Sequence, residues 1–166
     1  MSNSNEAFES IGNEIIAMSE ADQAMRRSKT WDASIDVKHT ARMQQIVADI
    51  GWPTISKVGE RASQMAWLLV QHADHDRDFQ RACLALMRAQ AAGEVSPQNI
   101  AYLEDRVRVG EGRPQLYGTQ FHANAQGELE PFPIENQEQV DTRRAEVGLG
   151  TLAEYTATMQ TYRKHG

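Results

Sequence analysis

The longest uninterrupted apolar runs in this chain have only six residues, Met65 to Val70 and Ala82 to Met87, and a strongly polar segment follows the first of them directly. That segment, QHADHDRDFQ at residues 71–80, places two histidines and three aspartates within ten positions. A helix that spans a bilayer needs roughly 20 apolar residues, so the sequence predicts no membrane-spanning segment. Ionisable groups that follow a core-forming segment either cap a helix or line a site. Residues 71–80 are therefore predicted to be a helix boundary, a site, or both.

Charge and cysteine content exclude several classes of protein. The net charge is −6 and the basic residues are scattered, so neither nucleic acid nor an anionic membrane surface is expected as a partner. The single cysteine, Cys83, excludes an internal disulfide and a multi-cysteine metal site. The N-terminus lacks the basic start and apolar block of a signal peptide, which leads us to expect a cytoplasmic protein.

Apolar residues at helical spacing predict a mainly α fold, a single-domain bundle of about five or six helices with one small β-hairpin. A helical extension is predicted at residues 1–30, and the domain at residues 31–166. The hairpin is predicted at about residues 116–134, with strands from Leu116 to His122 and from Leu129 to Ile134.

Helix boundaries are predicted from capping residues. Asp36 and Gly51 should bound a helix at 37–50, and one continuous helix should follow from about residue 54 to residue 72. The chain should break near Ala73, with Asp74 capping the next helix. Three further start signals are Ser96-Pro97, Asn136 with Gln139, and Thr151 with Glu154.

Six short motifs resemble a bacterial family of domains of unknown function over roughly residues 35–155. They are GWP at 51–53, QHADxDxxFQ at 71–80, Asp105-Arg106, YGTQ at 117–120, PxPI at 131–134 and VDxRR at 140–144. The resemblance implies no activity, but it marks the recurring polar positions. These are His72, Asp74, Asp76, Gln80, Asp105, Arg106, Tyr117, Gln120, Asp141, Arg143 and Arg144.

The catalytic candidates are His72, Asp76 and Asp74. If one helix continues through His72 and Asp76, their spacing of four places them on one face, where the aspartate can orient the imidazole as a general base. The alternative is that His72 ends one helix and Asp74 caps the next. The sequence alone leaves both interpretations open.

No metal site and no cofactor are predicted. His72 and His75 are three residues apart, whereas zinc-binding helices place two histidines four apart. No second pair of ligands at a typical spacing completes a set, and no phosphate-binding glycine loop or nucleophilic serine motif is present.

Six further polar residues are candidates for substrate binding: Gln80, Asp105, Arg106, Tyr117, Gln120 and Arg143. Gln120 can pair with an amide or carboxyl group, and Arg143 with a carboxylate or phosphate. Gly118 should let a ligand or another chain segment approach closely. In the structural alternative the hairpin is simply solvated, Asp105 pairs with Arg106, and the arginines pair with nearby acids such as Asp141 and Glu146.

Two functional hypotheses follow from these residues. The first is a cofactor-independent enzyme of hydrolase, lyase or cyclase type that acts on a small polar molecule. The second is a non-catalytic binding or immunity-type protein-interaction module. The sequence leaves a homodimer open in both cases.

Overall fold

A computed structural model describes residues 2–28 and 32–164, with side chains for residues 4–28 and 32–161. The described chain is mainly α-helical and carries one two-stranded antiparallel sheet. Its elements are α1 Ser2–Arg27, α2 Ala33–Ile50, α3 Ile55–Val58, α4 Glu60–Gln71, α5 Arg77–Arg88, α6 Pro97–Gly110, β1 Phe121–Ala123, β2 Leu129–Pro131, a 3₁₀ helix Gln137–Gln139, α7 Val140–Glu146 and α8 Leu152–Lys164.

The described residues form eight α-helices, so the predicted count of about five or six was too low. One cause is Gly59, whose φ of 84° lies in a region that side-chain-bearing residues rarely adopt. This glycine divides the helix predicted from about residue 54 to residue 72 into α3 and α4. No helix among the described residues is both long and apolar enough to cross a bilayer.

The chain forms two compact units, Met1–Ser96 and Pro97–Gly166. The first unit contains α1 to α5, and the second contains α6 to α8 with the sheet. The predicted boundary between an N-terminal extension and a domain at residue 30 stays a prediction.

In the first unit, α1 packs mainly against α4 and also against α3. The contact with α3 depends on Gly12, because a Cβ at that position would lie 2.9 Å from the carbonyl oxygen of Val58. Helix α2 begins with Asp32 as its cap, four residues before the predicted Asp36, and the Asp32 carboxylate accepts from the Ser34 amide at 2.9 Å. Gly51 ends α2 as predicted, with a φ of 69°.

The break between α4 and α5 falls where the sequence predicted it, but Asp76 and not Asp74 caps α5. The Asp76 Oδ1 atom accepts from the Phe79 amide at 3.0 Å. A tight turn joins the Asp76 amide to the Ala73 carbonyl at 2.9 Å, and this turn delays the start of α5 by two residues. Cys83 lies fully buried in α5, as expected for a core residue.

In the second unit, α6 starts at Pro97, as the Ser96-Pro97 signal predicts. The hairpin is confirmed, but its strands are shorter than predicted, with Phe121 opposite Pro131 and Ala123 opposite Leu129. Residues 116–119 do not join the sheet, because backbone amides there are bound by a side chain instead of a neighbouring strand.

Of the two predicted capping boxes, one forms. The Thr151 amide donates to Glu154 at 2.9 Å, and the Glu154 amide donates to the Thr151 hydroxyl at 3.3 Å, at the start of α8. The box predicted at Asn136 and Gln139 is wrong. Asn136 adopts a left-handed conformation with φ 44°, and its side chain does not cap the 3₁₀ helix that follows.

Candidate functional site

His72 and Asp22 form a close pair in the first unit, although 50 positions separate them in sequence. His72 directly follows α4 as its C-cap residue, and its Nδ1 atom lies 2.8 Å from Asp22 Oδ2. The Asp22 side chain is 1% exposed and the His72 side chain 17% exposed. A carboxylate only accepts hydrogen bonds, so Nδ1–H donates and Nε2 is the nitrogen that gains and loses a proton.

Asp22 is also held by an arginine that reaches a second helix. Arg26 Nε lies 3.1 Å and 3.2 Å from the two Asp22 oxygens. The same guanidinium donates through Nη2 to Asp36 Oδ1 in α2 at 2.8 Å. We call these four residues, Asp22, Arg26, Asp36 and His72, the Asp22 network. It joins α1, α2 and the end of α4 through two carboxylates, one guanidinium and one imidazole.

A second histidine lies near the same carboxylates. His39 is on α2, three residues after Asp36, and its Nδ1 atom is buried with no hydrogen-bond partner in the part of the chain that the structure describes. Burial lowers the pKa of His39 below its usual 6.5, while the charges of Asp22 and Asp36 act in the opposite direction. His39 is therefore mainly neutral at neutral pH.

In the catalytic interpretation Asp76 or Asp74 orients His72, whereas the structure places Asp22 against His72 Nδ1. Asp76 caps α5 and also accepts from Gln44 at 2.7 Å, and α4 ends at Gln71. The four-residue spacing of His72 and Asp76 therefore does not lie on one continuous helix. The partner of His72 Nδ1 comes instead from α1.

A signal for Asp22 was present in the sequence. Gly12, Ile15, Ser19 and Asp22 follow one another at helical spacing, and all four are buried on the same face of α1. A carboxylate on a buried helix face needs a hydrogen-bonding or charged partner. The pattern therefore predicts that Asp22 has a partner, but it does not identify which residue that is.

Gln80 and Asp74 hold the connection that carries His72. Gln80 is fully buried, and its Nε2 donates to the carbonyls of Val70 and Gln71 at 3.1 Å and 3.3 Å and to Asp74 Oδ1 at 3.2 Å. Carbonyls in the last turn of a helix lack partners within the helix itself. Gln80 therefore ties α5 to the last turn of α4, and Asp74 takes part in the same closure.

Asp105 organises residues 116–119 of the second unit, which we call the 116–119 loop. Its carboxylate is fully buried and accepts from the amides of Leu116, Tyr117 and Thr119, at 2.7, 3.0 and 2.9 Å respectively. The Thr119 hydroxyl donates to it as well, at 2.9 Å. Burial raises the pKa of Asp105, and these hydrogen bonds oppose that effect.

The carbonyls of the same loop residues are bound by side chains from α7 and α8. Arg143 Nε donates to the Leu116 carbonyl at 2.8 Å, and Arg144 Nη1 donates to the Tyr117 carbonyl at 2.6 Å. The Tyr155 hydroxyl reaches the Thr119 carbonyl at 3.4 Å. Each of these loop residues thus has its amide bound by Asp105 and its carbonyl bound by another side chain.

Arg144 is the most deeply buried cation of this cluster, with 2% exposure. Its guanidinium lies 5.2 Å from the centre of the Tyr155 ring. Burial lowers the pKa of Arg144 and raises the pKa of Tyr155. Arg143 donates to the carbonyls of Leu116 and Glu135. The structural alternative had paired the arginines with acids such as Asp141 or Glu146.

The remaining binding candidates of the second unit lie beside this loop. Arg106 Nη1 donates to Gln120 Oε1 at 3.3 Å, and Gln120 Nε2 donates to the Thr119 hydroxyl at 3.1 Å. Gln115 is fully buried and donates to the carbonyls of Gln120 and Phe132, both at 2.9 Å. The carboxylate of Asp105, which the structural alternative paired with Arg106, is bound by the loop. The structure thus gives these polar groups partners that hold the hairpin and the loop in place.

Among the described residues, no group of three or more histidines, cysteines, aspartates or glutamates is placed to hold a metal ion. A cavity of about 230 Å³ in the second unit has lining residues that belong to neither cluster. They are Val109, Gly112, Arg113, Pro114, Phe132 and Pro133.

Comparison with known families identifies the chain at the level of its domain. Residues 9–163 match a family of unknown function, DUF6624, and the chain belongs to that family. Comparison with curated proteins and with solved structures found no significant match.

Proposed function

We propose that this family member is a cofactor-independent enzyme of hydrolase, lyase or cyclase type, in which His72 is the general base for a small polar substrate. One observation carries the proposal. His72 Nδ1 lies 2.8 Å from a carboxylate that is 1% exposed, while the imidazole itself keeps part of its surface exposed.

Each partner of this pair has a defined role in proton transfer. The Asp22 carboxylate holds the Nδ1 proton, so the ring presents Nε2 as the base. When Nε2 takes a proton, the positive charge that forms is stabilised by the adjacent carboxylate. An oriented general base of this kind contributes about 10²- to 10⁴-fold to a rate.

Asp74, Asp76 and Gln80 are assigned a supporting role with no contact to the substrate. Asp76 caps α5, and Gln80 with Asp74 closes the α4–α5 connection. Their part in catalysis is to hold His72 at the end of α4.

The test compares matched histidine variants in a bacterial metabolite extract followed by mass spectrometry. His75 lies three residues from His72 and is exposed, so His75→Gln serves as the control for His72→Gln. Wild type and His75→Gln should deplete the same metabolite. His72→Gln and Asp22→Asn should lose about 100-fold or more of that turnover while remaining folded. Full turnover by His72→Gln would refute the assignment.

The alternative is a binding or immunity-type interaction module, and the second unit favours it. Asp105, Arg143 and Gln120 bind other groups of that unit, as a structural network would require. In that case no metabolite changes with any variant, and His72→Gln lowers stability by about 1–3 kcal/mol because Asp22 loses a buried partner. Isolation of a specific protein partner with the full chain would then support the module.

A further inference from the structure

We infer that Arg26, held in place by Asp36, is a positioning residue that fixes the Asp22 carboxylate and sets how strongly His72 binds a proton. This inference deepens the function proposed above and rests on His72 being the base. It assigns a role to two residues beyond the Asp22–His72 pair itself.

The geometry of Arg26 suits this role. Its Nε atom lies within 3.2 Å of both Asp22 oxygens, and its Nη2 reaches Asp36 on the neighbouring helix. A guanidinium is planar and holds its donors in a fixed fork, so binding two carboxylates at once restricts the position of each. With Arg26 and His72 both bound, Asp22 has little freedom to rotate away from the imidazole.

Burial makes these charges effective. Asp22 is 1% exposed, Asp36 12% and Arg26 24%, so water screens them less than it screens surface charges. The positive charge of Arg26 opposes protonation of His72, and the negative charges of Asp22 and Asp36 favour it.

This charge arrangement predicts that removing Arg26 and removing Asp36 change proton binding at His72 in opposite directions. Removing the cation leaves both carboxylates uncompensated, so Arg26→Gln should strengthen proton binding at His72. Removing a carboxylate leaves the cation in excess, so Asp36→Asn should weaken proton binding. A merely structural network would respond differently, because loosening it from either side should move His72 in the same direction, toward an exposed histidine.

Other charged groups near the network have to be followed in the same experiment. His39 and Lys38 lie on α2, and His39 interacts electrostatically with both Asp22 and Asp36. Asp74 and Asp76 lie in the connection that carries His72, where they bind Gln80 and the Phe79 amide. Since both residues carry an imidazole, their NMR signals must be assigned separately.

The experiment is an NMR titration of the histidine side chains in the full ¹⁵N-labelled chain, from about pH 5 to about pH 8. His72→Gln and His39→Gln assign the signals. Arg26→Gln should raise the titration midpoint of His72 by about 1 pH unit, and Asp36→Asn should lower it by up to about 1 pH unit. Arg26→Lys, which keeps the charge but not the fork, should shift the midpoint less than Arg26→Gln does.

Arg61→Gln is the matched control, because Arg61 pairs with Glu20 of α1 at a site where both side chains are more than half exposed. It should leave the midpoint of His72 unchanged. If Arg26→Gln does not fold, Asp36→Asn alone tests the inference. A His72 midpoint that rises or stays constant in Asp36→Asn would then refute it. Shifts in the same direction for both variants refute it as well.

The titration uses no substrate, so it is independent of the turnover assay. Opposite shifts without any turnover would keep the positioning role of Arg26 and reject the enzyme. Turnover that depends on His72 without these shifts would keep the enzyme and reject the role of Arg26.

Discussion

Asp105→Asn should strongly destabilise the second unit, because a single carboxylate satisfies four donors. Its Oδ1 accepts from the amides of Leu116 and Tyr117, and its Oδ2 accepts from the amide and hydroxyl of Thr119 and, at 3.2 Å, from the Tyr117 amide as well. In asparagine one of these oxygens becomes an NH₂ group, which faces donors and cannot accept from them.

The size of the effect can be estimated donor by donor. If the NH₂ group replaces Oδ2, the Thr119 hydroxyl can rotate and accept, but the buried Thr119 amide loses its acceptor, at about 1–3 kcal/mol. The bonds to Leu116 and Tyr117 become neutral instead of charge-assisted, which costs about 1 kcal/mol each. Relief from burying a charge offsets part of this sum. We expect a net loss of about 2–4 kcal/mol in the free energy of unfolding.

Urea unfolding followed by circular dichroism measures this loss, and Asp141→Asn is the control. Asp141 also accepts a backbone amide, that of Leu152 at 2.7 Å, but it is exposed and water can replace it. The control should therefore lose no more than about 1 kcal/mol. A loss for Asp105→Asn no larger than that of the control would show that the loop does not depend on the carboxylate.

Three further predictions concern single residues. Gly118→Ala should destabilise by about 1–3 kcal/mol in the same urea assay, because φ is 67° and a Cβ would lie 2.7 Å from Leu152 Cδ1; an unchanged midpoint would contradict the packing. Burial lowers the pKa of His39 below its usual 6.5, so the unfolded chain binds this proton more strongly than the folded chain does. The stability that neutral His39 contributes is therefore fully present above about pH 6.5, and it is lost as the pH falls through the lowered pKa of the folded state. In His39→Gln the free energy of unfolding should fall less steeply between about pH 7 and about pH 5 than in wild type, and an unchanged slope would contradict this role of His39. Burial raises the pKa of Cys83 to about 12, so iodoacetamide should label the native thiol at about pH 8 far more slowly than the urea-unfolded thiol, as mass spectrometry would show.

The helical architecture was predictable because it depends on local signals. Gly51, Pro97 and the Thr151–Glu154 box act within a few residues, and each marks a boundary that the structure confirms. The cap of α5 shows the limit of this approach. Asp74 and Asp76 are chemically equivalent, and only the turn at Ala73 determines which of them meets the first amides of the helix.

The candidate site was only partly predictable because its contacts are distant in sequence. The polar motif around His72 located one member of the pair, but the partner lies 50 residues earlier on α1. Spacing within one segment favoured Asp76, since local pairing is all that helical periodicity can propose. The contacts of the second unit were not predicted for the same reason. There Asp105 and the arginines of α7 bind a loop that the sequence pattern had predicted to be a strand.

The 116–119 loop lies between fixed charges of opposite sign, with its amides directed at Asp105 and carbonyls directed at Arg143 and Arg144. Its peptide dipoles are therefore aligned by side chains, as those of a helix are aligned by its own hydrogen bonds. Three motifs that look independent in the sequence, Asp105-Arg106, YGTQ and VDxRR, are in this sense parts of one electrostatic unit. A substitution that reverses or removes charge in one of them should be tolerated only with a compensating change in another, so variation at these positions should be correlated across the family.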